Sequence, residues 1–492
     1  MPRDPDLAST GNEQLDHVLR GGLPRNALYL VQGVPGSGKT TLALQFLLEA
    51  ARNGEKTLYV TLSETRDEID RVARSHGWTL EALQILELSA MRHLAEPTSR
   101  QTMFHSAEVE LQEVTAPILA AVERLSPSSV VIDSLSEIRL LSGELLRFRR
   151  QILALKQFFA QRGCTVLLLD DRTSDPGGSL LESLAHGVVT LEKETPRYGR
   201  TRRRLSVDKL RGVPFQEGYH DFRIETGRLV VFPRLVAGEH QGRIALEPLP
   251  SGIEALDALL GGGPDRGTST LFMGPAGVGK SSVATQYCAA AAGRGERAAM
   301  FLFDESLDTL LARSASLGMP VKEHVDAGRI LVRPVNPAEL TAGEFSHAVR
   351  EAVVHDEARV VVIDSLNGFL DSVPGEQFLT MHLRELLTWL NQHGVATLSV
   401  LAQHGLVGDG SRASLDVSYL ADNVILLRYF EAHGRVRQAI SVFKKRSGRH
   451  ERTIREFGLG ADGITVGAPL EQFQGVLTGL PVYAGQGESL LK

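Results

Sequence analysis

The sequence predicts an α/β protein built from two tandem domains, each a mainly parallel sheet with helices on both faces. Three observations lead there. One glycine-rich pattern occurs twice, the residues around it repeat in register, and buried-strand runs alternate with helix-length stretches through both halves. At 492 residues the chain has room for two ordinary cores.

The repeated pattern is Gly33-Val34-Pro35-Gly36-Ser37-Gly38-Lys39-Thr40, and again Gly274-Pro275-Ala276-Gly277-Val278-Gly279-Lys280-Ser281. Both fit G-x-x-x-x-G-K-[ST], the phosphate-binding loop of nucleoside triphosphate sites. A triphosphate needs several converging donors, and backbone amides point inward only where side-chain bulk is small. Residues 27–32 and 270–273 read as strands entering the loops. Residues 41–52 and 282–292 read as the helices leaving them, with their positive dipole ends toward the phosphates. The candidate binding residues are Gly33, Gly36, Ser37, Gly38, Lys39, Thr40 and Thr41, then Gly274, Gly277, Val278, Gly279, Lys280, Ser281 and Ser282. Lys39 and Lys280 are placed to reach the β and γ oxygens, while the hydroxyls of Thr40 and Ser281 suit magnesium.

The two lysines stand 241 positions apart, and that offset extends well beyond the loops. Gly11 answers Gly252, Asp16 answers Asp257, Gln45 answers Gln286, Glu55 answers Glu296, and Glu64 answers Glu305. Farther on the offset is 231: Val130-Val131-Ile132-Asp133-Ser134 matches Val361-Val362-Ile363-Asp364-Ser365. An apolar run ending in Asp is the pattern of a central parallel strand, and Asp133 and Asp364 are the candidate magnesium carboxylates. The polar stretch PRLVAGEHQG suggests domains at 1–234 and 248–492, with a linker at 235–247.

Phosphoryl chemistry also needs a group that orients the attacking oxygen. Glu64, Asp304 and Glu305 follow strands next to the loops and are the candidates. Near the end of each half lies a Lys-x-Arg, Lys209 with Arg211 and Lys444 with Arg446. In an extended strand both cations face one side, as a solvated basic edge or as a contact to a neighbour's γ-phosphate. The cluster Arg200, Arg202, Arg203 and Arg204 reads as the charged end of a hairpin.

Net charge is −6 and the pI is about 6.2, which argues against a nucleic-acid partner. Two cysteines, Cys164 and Cys288, cannot form a disulfide framework and read as buried reduced thiols, which points to the cytosol. The N-terminal residues carry no apolar signal core, and no apolar run approaches a membrane span.

Taken together, these residues resemble the KaiC-type proteins among the RecA-like P-loop ATPases. The likeness includes both loops, both Asp-Ser strand ends, the Lys-x-Arg segments, and Arg452-Thr453-Ile454-Arg455-Glu456-Phe457, which is similar to that family's AIREF segment. It implies tandem RecA-like domains, ATP and Mg2+ as ligands, ATP hydrolysis, and a double-ringed hexamer. Nucleotide would then lie between subunits, within reach of Lys209, Arg211, Lys444 and Arg446 of an adjacent copy. The competing class, a RecA-like nucleic-acid-dependent ATPase, has against it the acidic pI and the lack of a basic-aromatic stripe.

Three features depart from the family. Its usual acidic pair is Ser63-Glu64 in the first copy and Asp304-Glu305 in the second, which favours the loop at Gly274 for phosphotransfer. Its Ser-Thr phosphoacceptor pair aligns with Ser418-Tyr419, so Ser418 is either an autokinase acceptor or a serine in a turn before the strand at 424–427. After residues 470–483, which resemble the family's closing segment, only AGQGESLLK follows, so the partner recruited by a longer tail is not expected.

Overall fold

The computed structural model describes residues 4–88, 106–172, 178–239, 247–371, 379–403, 418–432, 434–476 and 482–483. The chain divides into two compact units, Met1–Arg234 and Leu235–Lys492.

In the first unit the strands of the main sheet are β1 (Leu28–Gly33), β2 (Thr57–Thr61), β3 (Gln84–Glu87), β4 (Ser129–Asp133), β5 (Thr165–Asp171), β6 (Gly187–Glu194), β7 (Arg202–Leu210), β8 (Tyr219–Glu225) and β9 (Arg228–Phe232). They form one nine-stranded sheet in the order β9-β8-β7-β6-β1-β5-β4-β2-β3. The pairings from β6 through β1, β5, β4 and β2 to β3 are parallel, and those among β6, β7, β8 and β9 are antiparallel.

The second unit repeats this plan. The strands of its main sheet are β10 (Ser269–Gly274), β11 (Arg297–Leu302), β12 (Ile330–Pro334), β13 (Ala358–Asp364), β14 (Ala396–Ala402), β15 (Asn423–Ala432), β16 (Arg435–Lys445), β17 (Arg455–Gly460) and β18 (Gly463–Pro469). Their order, β18-β17-β16-β15-β10-β14-β13-β11-β12, matches the first sheet strand for strand. Each unit is thus a RecA-like α/β domain with a mixed, mainly parallel sheet.

Period-two alternation explains why the central strands are apolar throughout. On β1, Tyr29 and Val31 join the core that also holds Phe46 and Leu47 of the loop helix Lys39–Arg52; Leu28 and Leu30 face Ile152, Leu155 and Phe159 on the opposite side. On β13, Val360 and Val362 pack with Tyr287 and Cys288, while Val361 and Ile363 pack with Leu383, Leu386 and Trp389. Helices cover both faces, so both faces of these strands are mainly apolar, and the few polar residues inside strands, such as Thr397 and Ser399, are small.

Many repeated polar residues prove to be scaffold. Gln45 Nε2 donates to Gly11 O at 2.5 Å, and Gln286 Nε2 donates to Ser251 O at 2.8 Å. Asp16 and Asp257 each accept a backbone N–H at 2.8 Å, from Thr10 and Ser251. Glu55 pairs with Arg25 and Glu296 with Arg266. These contacts fix the segment leading into the first strand against the loop helix. The stretch at 235–247 is not all linker in structure: Leu235 and Ala237 are buried in the second unit's core, and Ala237 N donates to Glu385 Oε2 at 2.9 Å. Both thiols are buried; burial pushes Cys288 up to about 12.

Candidate nucleotide sites

The two sites stand at the carboxyl ends of β1 and β10, the central strands from which the sheet runs outward on both sides, where open α/β sheets place their ligands. The loop helices run Lys39–Arg52 and Lys280–Gly293, beginning two residues earlier than the sequence suggested. Their first residues follow Gly38 and Gly279, whose φ values of 113° and 103° are left-handed. A Cβ at Gly38 would lie 2.9 Å from Ile224 Cδ1, and one at Gly279 would lie 2.8 Å from both Phe457 and Leu459. Both conformation and space require glycine there.

In the first site, Lys39 is 8% exposed and donates to Gly33 O at 2.9 Å and Val34 O at 3.2 Å. Its ammonium also meets Asp171 Oδ1, on β5, at 2.6 Å. Thr40 Oγ1 donates to Asp133 Oδ2 at 3.0 Å, and Tyr59 OH donates to the same oxygen at 2.6 Å. Burial holds Asp133 above the usual carboxylate range against these hydrogen bonds and Lys39. Glu64 stands at the end of β2 with its backbone tied to Thr61 Oγ1 at 3.0 Å. Its Oε2 is buried and accepts no hydrogen bond among the described residues. Desolvation first, then Asp133 and Glu68, raise its pKa.

In the second site, Lys280 is 6% exposed and donates to Pro275 O at 2.6 Å. At the register position of Asp171 stands Ala402, which offers this ammonium no carboxylate. Burial lowers its pKa to about 8, only partly offset by Asp364. Asp364 is itself raised by burial, against the Ser281 hydroxyl bonded to it and Arg313. Asp304 Oδ2 accepts from Ser365 Oγ at 2.5 Å. Glu305 is held in a fork by Arg313, with Nε to Oε1 at 3.0 Å and Nη2 to Oε2 at 2.8 Å; Arg313 Nη1 also donates to Ser282 Oγ at 3.1 Å.

Each site therefore joins a buried lysine to a hydroxyl–carboxylate pair at a strand end, a donor set that fits magnesium. Thr40 with Asp133, and Ser281 with Asp364, are the residues that would hold the ion.

The Lys-x-Arg pairs are engaged within their own units. Lys209 donates to Glu182 O at 2.7 Å and Arg211 to Ser183 O at 3.4 Å. Lys444 donates to Ala421 O at 2.7 Å and Arg446 to Tyr419 O at 2.9 Å. Ser418 lies in a turn before β15, half-buried, while residues 404–417 lie outside the described residues. The arginine cluster opens β7 of the β6–β7 hairpin, where Glu192 faces Arg204 and Glu194 faces Arg202 across the strands.

Sequence reading missed Asp171, Tyr59 and Arg313. Asp171 carried a signal: the apolar run from Thr165 ends in Asp170-Asp171, as the Val130 run ends in Asp133. Arg313 lies eight residues after Glu305, and only the helix Leu307–Ser316 folds that spacing back into contact.

Two sheets of this topology in one chain, each with a phosphate-binding loop at its central strand, define a tandem RecA-like P-loop ATPase. A family model described as the KaiC ATPase matches residues 8–236 and again 249–471. The chain belongs to that family. It is similar to "Circadian clock protein KaiC3" of Synechocystis sp., 28% identical over 97% of this chain and 95% of the relative. It is also similar to "Circadian clock oscillator protein KaiC" of Thermostichus vulcanus, 26% identical over 95% and 90% of the two chains. The protein of the same name from Acaryochloris marina is 25% identical over 97% and 91%.

Proposed function

We propose that the protein binds ATP with magnesium at both loops and hydrolyses it. The observation that carries this reading is the duplicated set of a buried lysine beside a hydroxyl–carboxylate pair. Lys39 and Lys280 leave their carbonyl partners to contact the β and γ oxygens, and the loop amides orient the chain of phosphates. Magnesium, when bound, neutralises charge on the β and γ phosphates. In the hydrolytic step the water oxygen bonds to γ-phosphorus and the bond to the bridging oxygen breaks with its electron pair leaving on ADP. One water proton goes to a site carboxylate, Glu64 in the first unit and Asp304 or Glu305 in the second.

The family resemblance supports a ring assembly, which we propose as a hexamer in which Lys209, Arg211, Lys444 and Arg446 exchange their intrachain carbonyls for a neighbour's nucleotide. The relatives' clock names support a role as a slow timing or signalling switch, with autophosphorylation at Ser418 as its covalent mark. Mass spectrometry after incubation with ATP and magnesium tests the kinase part: phosphate on Ser418 is expected, and its absence removes that role. Equilibrium binding of a fluorescent ATP analogue tests the rest, with two sites per chain expected and one in either Lys39→Ala or Lys280→Ala. Two sites remaining in either variant would contradict the assignment.

A further inference from the structure

We infer that Arg313 selects which carboxylate serves the second site: by engaging both oxygens of Glu305 it leaves Asp304 to accept the water proton. This rests on the reading of that site as hydrolytic.

The two copies differ at two linked positions around one shared glutamate. At the 241-residue offset, Asp304, Glu305 and Arg313 answer Ser63, Glu64 and Val72. Where the first carboxylate is absent, the arginine is absent too. Val72 packs against the first unit's core, and Glu64 keeps a buried oxygen without a hydrogen-bond partner among the described residues. Where Asp304 is present, Arg313 closes a fork on Glu305 with N–O distances of 2.8 and 3.0 Å. That pair is 23% and 17% exposed, so water competes weakly for it. A third contact, to Ser282 Oγ, ties the guanidinium to the loop helix. Glu305 is thereby fixed with an oxygen on each arm of the fork, and turning toward a water would strand a half-buried guanidinium. Asp304 instead accepts a hydrogen bond from Ser365, next to Asp364, and stays exposed. Each site then works with one carboxylate, Glu64 in the first and Asp304 in the second, and Arg313 is a positioning residue.

The test uses the full chain with Lys39→Ala, so that only the second site turns over. Asp304→Ser is expected to lower kcat for phosphate release by about 100-fold, with KM changed by less than about 3-fold. Adding Arg313→Val recreates the first copy's pattern and is expected to restore kcat at least about 10-fold, and a further Glu305→Gln removes the gain. A merely structural arginine gives the opposite result, a double variant slower than the single one. Should the valine variant fail to bind the fluorescent analogue, Asp304→Ser with Arg313→Lys carries the test, since lysine cannot hold both oxygens. Absence of rescue in a variant that binds nucleotide, or full turnover in Asp304→Ser, overturns the selector role. Absence of phosphate release already in Lys39→Ala overturns the hydrolytic reading of the second site and this inference with it.

Discussion

Lys280 and Lys39 hold the same motif position and have different electrostatics. Lys280 is buried with Ala402 at the register position that Asp171 holds in the first site, and burial lowers its pKa to about 8. A triphosphate favours the ammonium, so the bound lysine titrates higher than the free one. Binding therefore takes up a proton near pH 8 and above, and ATP affinity of the second site is expected to fall as pH rises through that region. Titration calorimetry on Lys39→Ala in buffers of different ionisation heat measures this; an affinity flat from pH 7 to 9 would contradict it. In the first site Lys39 must leave Asp171, a pair at 2.6 Å in which the aspartate is one-third exposed. Asp171→Asn is expected to tighten ATP binding there by roughly 5-fold, the equivalent of about 1 kcal/mol. Weaker binding would show that the carboxylate helps rather than competes. Glu64 has a pKa raised by desolvation and by Asp133 and Glu68, and it must be ionised to accept a proton. First-site turnover, read in Lys280→Ala, is expected to fall on acidification at a pH above the ordinary carboxylate range, and Glu64→Gln to lower it about 100-fold. The lysines and hydroxyls were legible because their spacing is dictated by the loop itself, and the aspartates because each ends a continuous apolar run. Arg313 and Tyr59 were not, because their partners are distant in sequence and only helix and sheet geometry joins them.

At the scale of elements, the strand–loop–helix unit was readable in type and nearly in extent, since β1 and β10 are apolar on both faces and glycine marks their ends. The antiparallel β7–β9 and β16–β18 were less legible. They mix burial with charge, and β17 carries Arg455, Glu456 and Phe457 in succession. The structure gives that segment a purpose: Phe457 packs against Gly279, as Phe222 and Ile224 approach Gly38. The outer sheet thus buttresses the glycine that starts each loop helix. Gly279→Ala meets both a left-handed φ and ring atoms at 2.8 Å. It is expected to cost about 1–3 kcal/mol and to weaken nucleotide binding at the second site, as read by urea unfolding and analogue titration. Wild-type behaviour in both would remove the buttress from the explanation.

For the whole molecule, the repeat in sequence became a repeat in topology, with nine strands in the same order in each unit. What could not be read was how evenly chemistry was copied. The scaffold pairs Gln45 and Gln286, Asp16 and Asp257, and Arg25–Glu55 and Arg266–Glu296 are duplicated, because both sheets need the same entry into the loop helix. The groups near the loops diverged: Asp171 against Ala402, Val72 against Arg313, Ser63 against Asp304. The proposed ring makes assembly the consequence of nucleotide, and size-exclusion chromatography with light scattering is expected to show a hexamer with ATP and magnesium. The measurement closest to the proposal of two unequal ATPase sites is phosphate release by the wild type, Lys39→Ala and Lys280→Ala under saturating ATP. Both variants are expected to retain turnover, at different rates and with both rates below that of the wild type. Abolition of turnover by one substitution alone, or equal losses in the two, would contradict it.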